Sequence, residues 1–102
     1  MYLIVTSIYP NDKSKEVANT YVEAMTKYPD DASLATPVVP VAVHAVLEGI
    51  KIIMVHDIKK GKFEEAWALI DARMGMFLDI QGFRYTFETY ANLEEALRTI
   101  GM

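Results

Sequence analysis

Few side chains in this chain carry a titratable or charged group at a spacing that gathers them. Phe83 to Tyr90 (FRYTFETY) alternates, so Phe83, Tyr85 and Phe87 share one side and Arg84, Thr86, Glu88 and Tyr90 the other. If the aromatics meet helices, the polar row lies on the far face, where His44, Lys51 and Asp57 are also expected. Imidazole titrates near neutrality, which makes His44 the candidate catalytic acid or base. Arg84 suits an anionic group, Glu88 or Asp57 suits orienting the histidine, and Tyr90 completes the ligand-binding set. A bland role fits the same residues: Arg84 and Glu88 as an interface or surface ion pair, His44 as a hydrogen-bond partner across a dimer.

Other arrangements are weaker. His56 falls near a strand end among helix-facing residues. The two histidines are expected on opposite faces, whereas zinc and similar ions want three or four convergent ligands, so no metal site is assigned. No cofactor is assigned either: Phe63, Trp67, Met74 and Phe77 suit a helix core better than a cofactor box. Lys59-Lys60-Gly61-Lys62 precedes a helix, a place where an anion can bind, but it reads more simply as a solvated loop.

The elements that must position these residues follow from pattern. Tyr2 to Tyr9 is β-branched and aromatic and stops at Pro10, which reads as a strand. Asn11-Asp12 offers an N-cap to a helix carrying the stripe Val17, Tyr21, Ala24, Met25 and Tyr28, closed by Pro29-Asp30-Asp31. Val38 to Leu47 reads as a strand, at a sheet edge because Pro40 cannot donate to a ladder. Ile50 to Ile58 pairs with it across a tight Glu48-Gly49 turn. After Lys60-Gly61-Lys62 a longer helix lines up Phe63, Trp67, Ile70, Met74 and Phe77. Asn92 and Glu95 have the spacing of a capping box before a short helix with Leu93, Ala96, Leu97 and Ile100, and Gly101 stands where a C-cap would.

The hairpin carries an argument about assembly. Its turn sets Leu47 opposite Ile50, Val43 opposite Met54 and Val41 opposite His56, and opposed residues share a face. One face then holds Val39, Val41, Val43, Ala45, Leu47, Ile50, Ile52, Met54 and Ile58. The other holds Val38, Pro40, Ala42, His44, Val46, Lys51, Ile53, Val55 and Asp57, and it too is mostly apolar. A sheet wetted on one side should alternate apolar and polar. A second subunit is the simplest cover for the second face, with the terminal helix as its rival.

Composition narrows the class. The chain has 102 residues, the common size of one domain, and residues 1–102 are read as one. It is 52% hydrophobic and 24% charged, with net charge −4 and no basic face, which argues against nucleic acid as a partner. There is no cysteine, hence no disulfide or thiolate chemistry. Nothing reads as a targeting signal or membrane span, so no membrane partner and a cytoplasmic location are expected.

The element order is strand, helix, strand, strand, helix, strand, then a terminal helix. This is the split βαβ pattern: an α+β, ferredoxin-like chain with a four-stranded antiparallel sheet and both long helices on one face. Over nearly its whole length this order resembles the dimeric α/β barrel superfamily. The resemblance implies a homodimer paired sheet to sheet. Members include small monooxygenases, haem-degrading enzymes, isomerases, dehydratases and sensory ligand-binding domains, so the fold leaves the reaction open. Haem-degrading members use an asparagine, a tryptophan and a histidine; Asn19 and Trp67 are not placed on that motif, and that activity is not carried over. Three functions stay open: a homodimer binding a small apolar or anionic molecule, a non-catalytic regulatory or interaction subunit, and a cofactor-free monooxygenase or isomerase.

Overall fold

The computed structural model describes all 102 residues. Strand β1 (Tyr2–Tyr9) leads through a 3₁₀ turn at Asn11–Lys13 into α1 (Ser14–Lys27). Strands β2 (Ala35–Val46) and β3 (Gly49–Ile58) form the hairpin, followed by α2 (Phe63–Gly75), β4 (Arg84–Tyr90) and α3 (Leu93–Thr99). The sheet is antiparallel in the order β2-β3-β1-β4, the ferredoxin-like arrangement.

Burial in β1 alternates with period two: Leu3, Val5, Ser7 and Tyr9 are buried, while Tyr2, Ile4, Thr6 and Ile8 are only partly covered. The buried set faces α1 and α2, where Val17, Ala24, Ala66, Ile70 and Met74, with Phe77 just after α2, complete the core. Leu3 and Val5 are wholly buried, each contributing about 1.5–3 kcal/mol over an exposed position. An aromatic row continues this layer over β4. Phe77 stacks on Phe83 at 4.8 Å, and Trp67 meets Phe87 edge-on at 4.6 Å.

Several expectations are corrected. The hairpin loop is Leu47-Glu48, with Val46 opposite Gly49 and Val43 opposite Ile52. The predicted register is displaced by two residues, which preserves parity, so His44 and Lys51 still share the face away from the helices. Gly49 explains the displacement: its φ is +146°, and a Cβ there would collide with the Tyr9 carbonyl oxygen, so only glycine fits. Two β-bulges, one on each side of Val39, then exchange faces along β2. Val39 pairs with Val55 on the face away from the helices, and Pro40 comes to the helix side beside Met54 and His56. Both are opposite to expectation, because strict alternation does not survive the bulges.

Trp67 is 36% exposed rather than enclosed. Asn11 and Asp12 lie in the 3₁₀ turn and supply no side-chain cap to α1. The terminal capping box does form, with Asn92 accepting from the Glu95 backbone N–H and Glu95 accepting from that of Asn92. Glu95 also pairs with the amino group of Met1, tying α3 to the start of β1. Leu93 and Ile100 stay exposed. The terminal helix therefore does not seal the sheet's second face. No helix is long and apolar enough to cross a membrane.

Candidate functional site

The face away from the helices reads as four rows across the sheet. Asp57, Tyr2 and Tyr90 stand in one row, followed by Val39, Val55, Ile4 and Glu88. Ala42, Ile53, Thr6 and Thr86 form the next, and His44, Lys51, Ile8 and Arg84 the last. The middle is apolar, one end carries Asp57 and Glu88, and the other carries His44, Lys51 and Arg84. All five residues singled out from sequence lie on this face, yet apart. His44 and Arg84 share a row but occupy its two edge strands, three strand spacings or roughly 14 Å apart. Tyr90 Oη donates to Glu88 at 3.3 Å. His44, Arg84, Glu88 and Tyr90 line none of the principal concavities of the chain; Asp57 borders the one shared by the Lys59–Gly61 loop and the acidic start of α3.

The concave surface lies on the other side. Between α1 and the β2–β3 hairpin runs a cleft of about 410 Å³, floored by Ser7, Ile52 and Met54 and walled by Val17, Tyr21, Val41 and Phe83. Its size and its ten hydrophobic lining residues out of twelve match a small-molecule site. It exists because the helices stop short of the hairpin: Val43 is 63% exposed although it belongs to the helix-side face.

Tyr21, Met54 and Phe77 separate this cleft from a smaller cavity of about 50 Å³ that they also line. Here two polar side chains interrupt the core. His56 on β3 is 5% exposed, and its Nδ1 is buried without a hydrogen-bond partner. Arg73 on α2 is buried too; its Nε donates to the Tyr28 carbonyl at 2.6 Å and its Nη2 to Asp30 at 2.9 Å. The guanidinium thus ties α2 to the end of α1. Burial holds the His56 pKa below its ordinary value, and the Arg73 charge lowers it further; Asp30 opposes with a smaller effect. His56 is a neutral imidazole at pH 7, in a net positive field.

Sequence reasoning ranked His56 low and passed over Arg73. The available signal was a polar residue on each of two inward faces: His56 among Ile50, Ile52, Met54 and Ile58, and Arg73 between Ile70 and Phe77. Buried charges are rare unless paired or used.

No family profile and no curated protein sequence matches the chain. Among solved structures it is similar to a dimeric ferredoxin-like protein from an uncultured marine organism, at 10% identity and a TM-score of 0.43, covering 89% of this chain and 91% of that one.

Proposed function

We propose that the protein is a homodimer that binds a small, largely apolar molecule, with the helix-side cleft as the binding site and the open sheet face as the dimer contact. The observation that carries the binding role is the cleft of about 410 Å³ with its apolar walls. A purely structural subunit would gain from filling that space, since tight packing stabilises a core. The test is a titration with 4-phenylbutanol followed in ¹H–¹⁵N spectra. Shifts should concentrate at Ser7, Val17, Tyr21 and Met54, and Val17→Trp should abolish them by filling the cleft. Shifts scattered over the surface, or unchanged by Val17→Trp, contradict the reading.

The dimer follows from the apolar rows centred on Ile4, Ile53 and Val55, over which no element of the chain folds. Charge selects between the two aligned ways of facing this sheet with its copy. A two-fold axis along the strands would bring like ends together, His44, Lys51 and Arg84 against the same set. An axis across the strands brings Lys51 opposite Asp57 of the partner subunit and sets Arg84 one row from Glu88 of the partner subunit. Opposite charges across an interface favour the second.

A second reading gives His44 a proton-exchanging role between the two sheets, with Arg84, Glu88, Tyr90 and Asp57 as ligand contacts. Their common placement on the face that a partner would close favours it. His44→Ala separates the roles: loss of ligand binding with an intact dimer supports a site, and loss of the dimer supports a structural contact.

A further inference from the structure

We infer that the cleft selects apolar molecules carrying a carboxylate or similar anionic head, with the head seated in the inner cavity against His56 and Arg73 and the apolar body in the cleft outside. This rests on the binding role proposed for the cleft and adds the chemical class of its ligand. Three observations carry it. The first is His56, whose side chain lines the smaller cavity while its Nδ1 is buried without a hydrogen-bond partner. A buried polar atom without a partner costs free energy and is uncommon in native proteins. A turn of the His56 ring toward a bound head would supply the missing hydrogen bond and remove that cost. Nδ1 donates to a carboxylate in the tautomer or protonation state that carries its hydrogen.

The second observation is the guanidinium. Only its Nε and Nη2 are engaged, so Nη1 keeps its two N–H donors. Its Asp30 partner is 44% exposed, so water weakens the neutralisation on that side. Arg73 itself is 9% exposed at the side chain and lines the inner cavity. A planar guanidinium with free donors suits a carboxylate, and a charge-assisted hydrogen bond is stronger than a neutral one.

The third is the way the two spaces adjoin. They adjoin across Tyr21, Met54 and Phe77, so one molecule could place its head in one and its body in the other if that partition yields. About 50 Å³ exceeds what one water requires and matches a carboxyl group in scale. Met54 is the adaptable part of the partition, having an unbranched and flexible side chain.

The experiment compares 4-phenylbutyrate with 4-phenylbutanol and 4-phenylbutanamide on the full chain, by calorimetry and by ¹H–¹⁵N shifts. The acid should bind at least tenfold tighter than the alcohol or the amide, and its shifts should reach residues 54, 56 and 73. Arg73→Met should remove most of that preference and leave the alcohol's affinity within about twofold. Should Arg73→Met fold poorly, His56→Phe and the acid-to-alcohol ratio in the unaltered protein still decide. Equal affinities for acid and alcohol, both sensitive to Val17→Trp, overturn the anionic-head inference while sparing the cleft. No binding of any probe overturns both.

Discussion

Arg73→Met tests the account of the helix layer most sharply, because Arg73 is the buried charge that joins α1 to α2. Methionine keeps most of the aliphatic stem, so the stem's packing is largely retained and the guanidinium is what is removed. Two hydrogen bonds go with it, to the Tyr28 carbonyl at 2.6 Å and to Asp30 at 2.9 Å. Hydrogen bonds involving a charged group contribute roughly 1.5–3 kcal/mol each, for a gross loss of about 3–6 kcal/mol. Two effects offset it. Asp30 is 44% exposed and recovers hydration when its partner leaves, and the protein no longer bears the cost of burying a guanidinium. The net loss should be about 2 kcal/mol, read from urea unfolding at matched protein concentration. A second readout separates charge from packing. Removing a positive charge beside His56 should raise the pKa of its imidazole, followed through its ring resonances. A loss under about 0.5 kcal/mol with an unmoved His56 titration would refute the role given to Arg73.

The remaining predictions concern assembly, pH and packing. Ile53→Asp should convert the dimer to monomer in sedimentation at micromolar concentration, because an unpaired charge buried between sheets costs several kcal/mol; Lys62→Ala should leave it a dimer, and a wild-type monomer across that range removes the argument for sheet-to-sheet pairing. Arg84→Glu should weaken the dimer and Arg84→Glu with Glu88→Arg should restore it; no rescue contradicts the axis across the strands. Stability should be level above about pH 6.5 and fall as the pH drops below it. The unfolded chain then binds a proton that folded His56, facing Arg73 from α2 and Asp30 from the loop after α1, resists. His56→Phe should flatten that segment of the profile, and an unchanged slope would assign it to other groups. Trp67→Ala should cost about 2–3 kcal/mol, below a fully buried tryptophan, since Trp67 is 36% exposed yet packs on Phe63 and Phe87; a cost under 1 kcal/mol would mean those contacts do not hold it.

Local rules of the chain sufficed for much of this molecule. Period-two alternation in Tyr2–Tyr9 and Phe83–Tyr90, and period-3.6 stripes in α1 and α2, are properties of neighbouring residues, and the element order they dictate already implies the ferredoxin-like sheet. The polar row Arg84, Glu88 and Tyr90 and the face of His44 were legible for the same reason: parity along a strand survives a two-residue displacement of the turn. What tertiary structure alone decided lies where residues distant in sequence meet. The bulges around Val39 reverse Val39 and Pro40 by inserting residues into the β2–β3 ladder, which no alternation along β2 encodes. Asn11-Asp12 lie in a 3₁₀ turn and supply no side-chain cap to α1, which cap propensity does not anticipate. His56 and Arg73 lie seventeen positions apart, on a strand and on a helix, and Arg73 reaches Tyr28 and Asp30 some 45 and 43 positions away. Their meeting in one cavity depends on how α2 crosses the sheet beside the end of α1. His56 stood out in sequence only as a polar interruption of an apolar face and Arg73 was passed over; the packing of helix on sheet brought the two into one site.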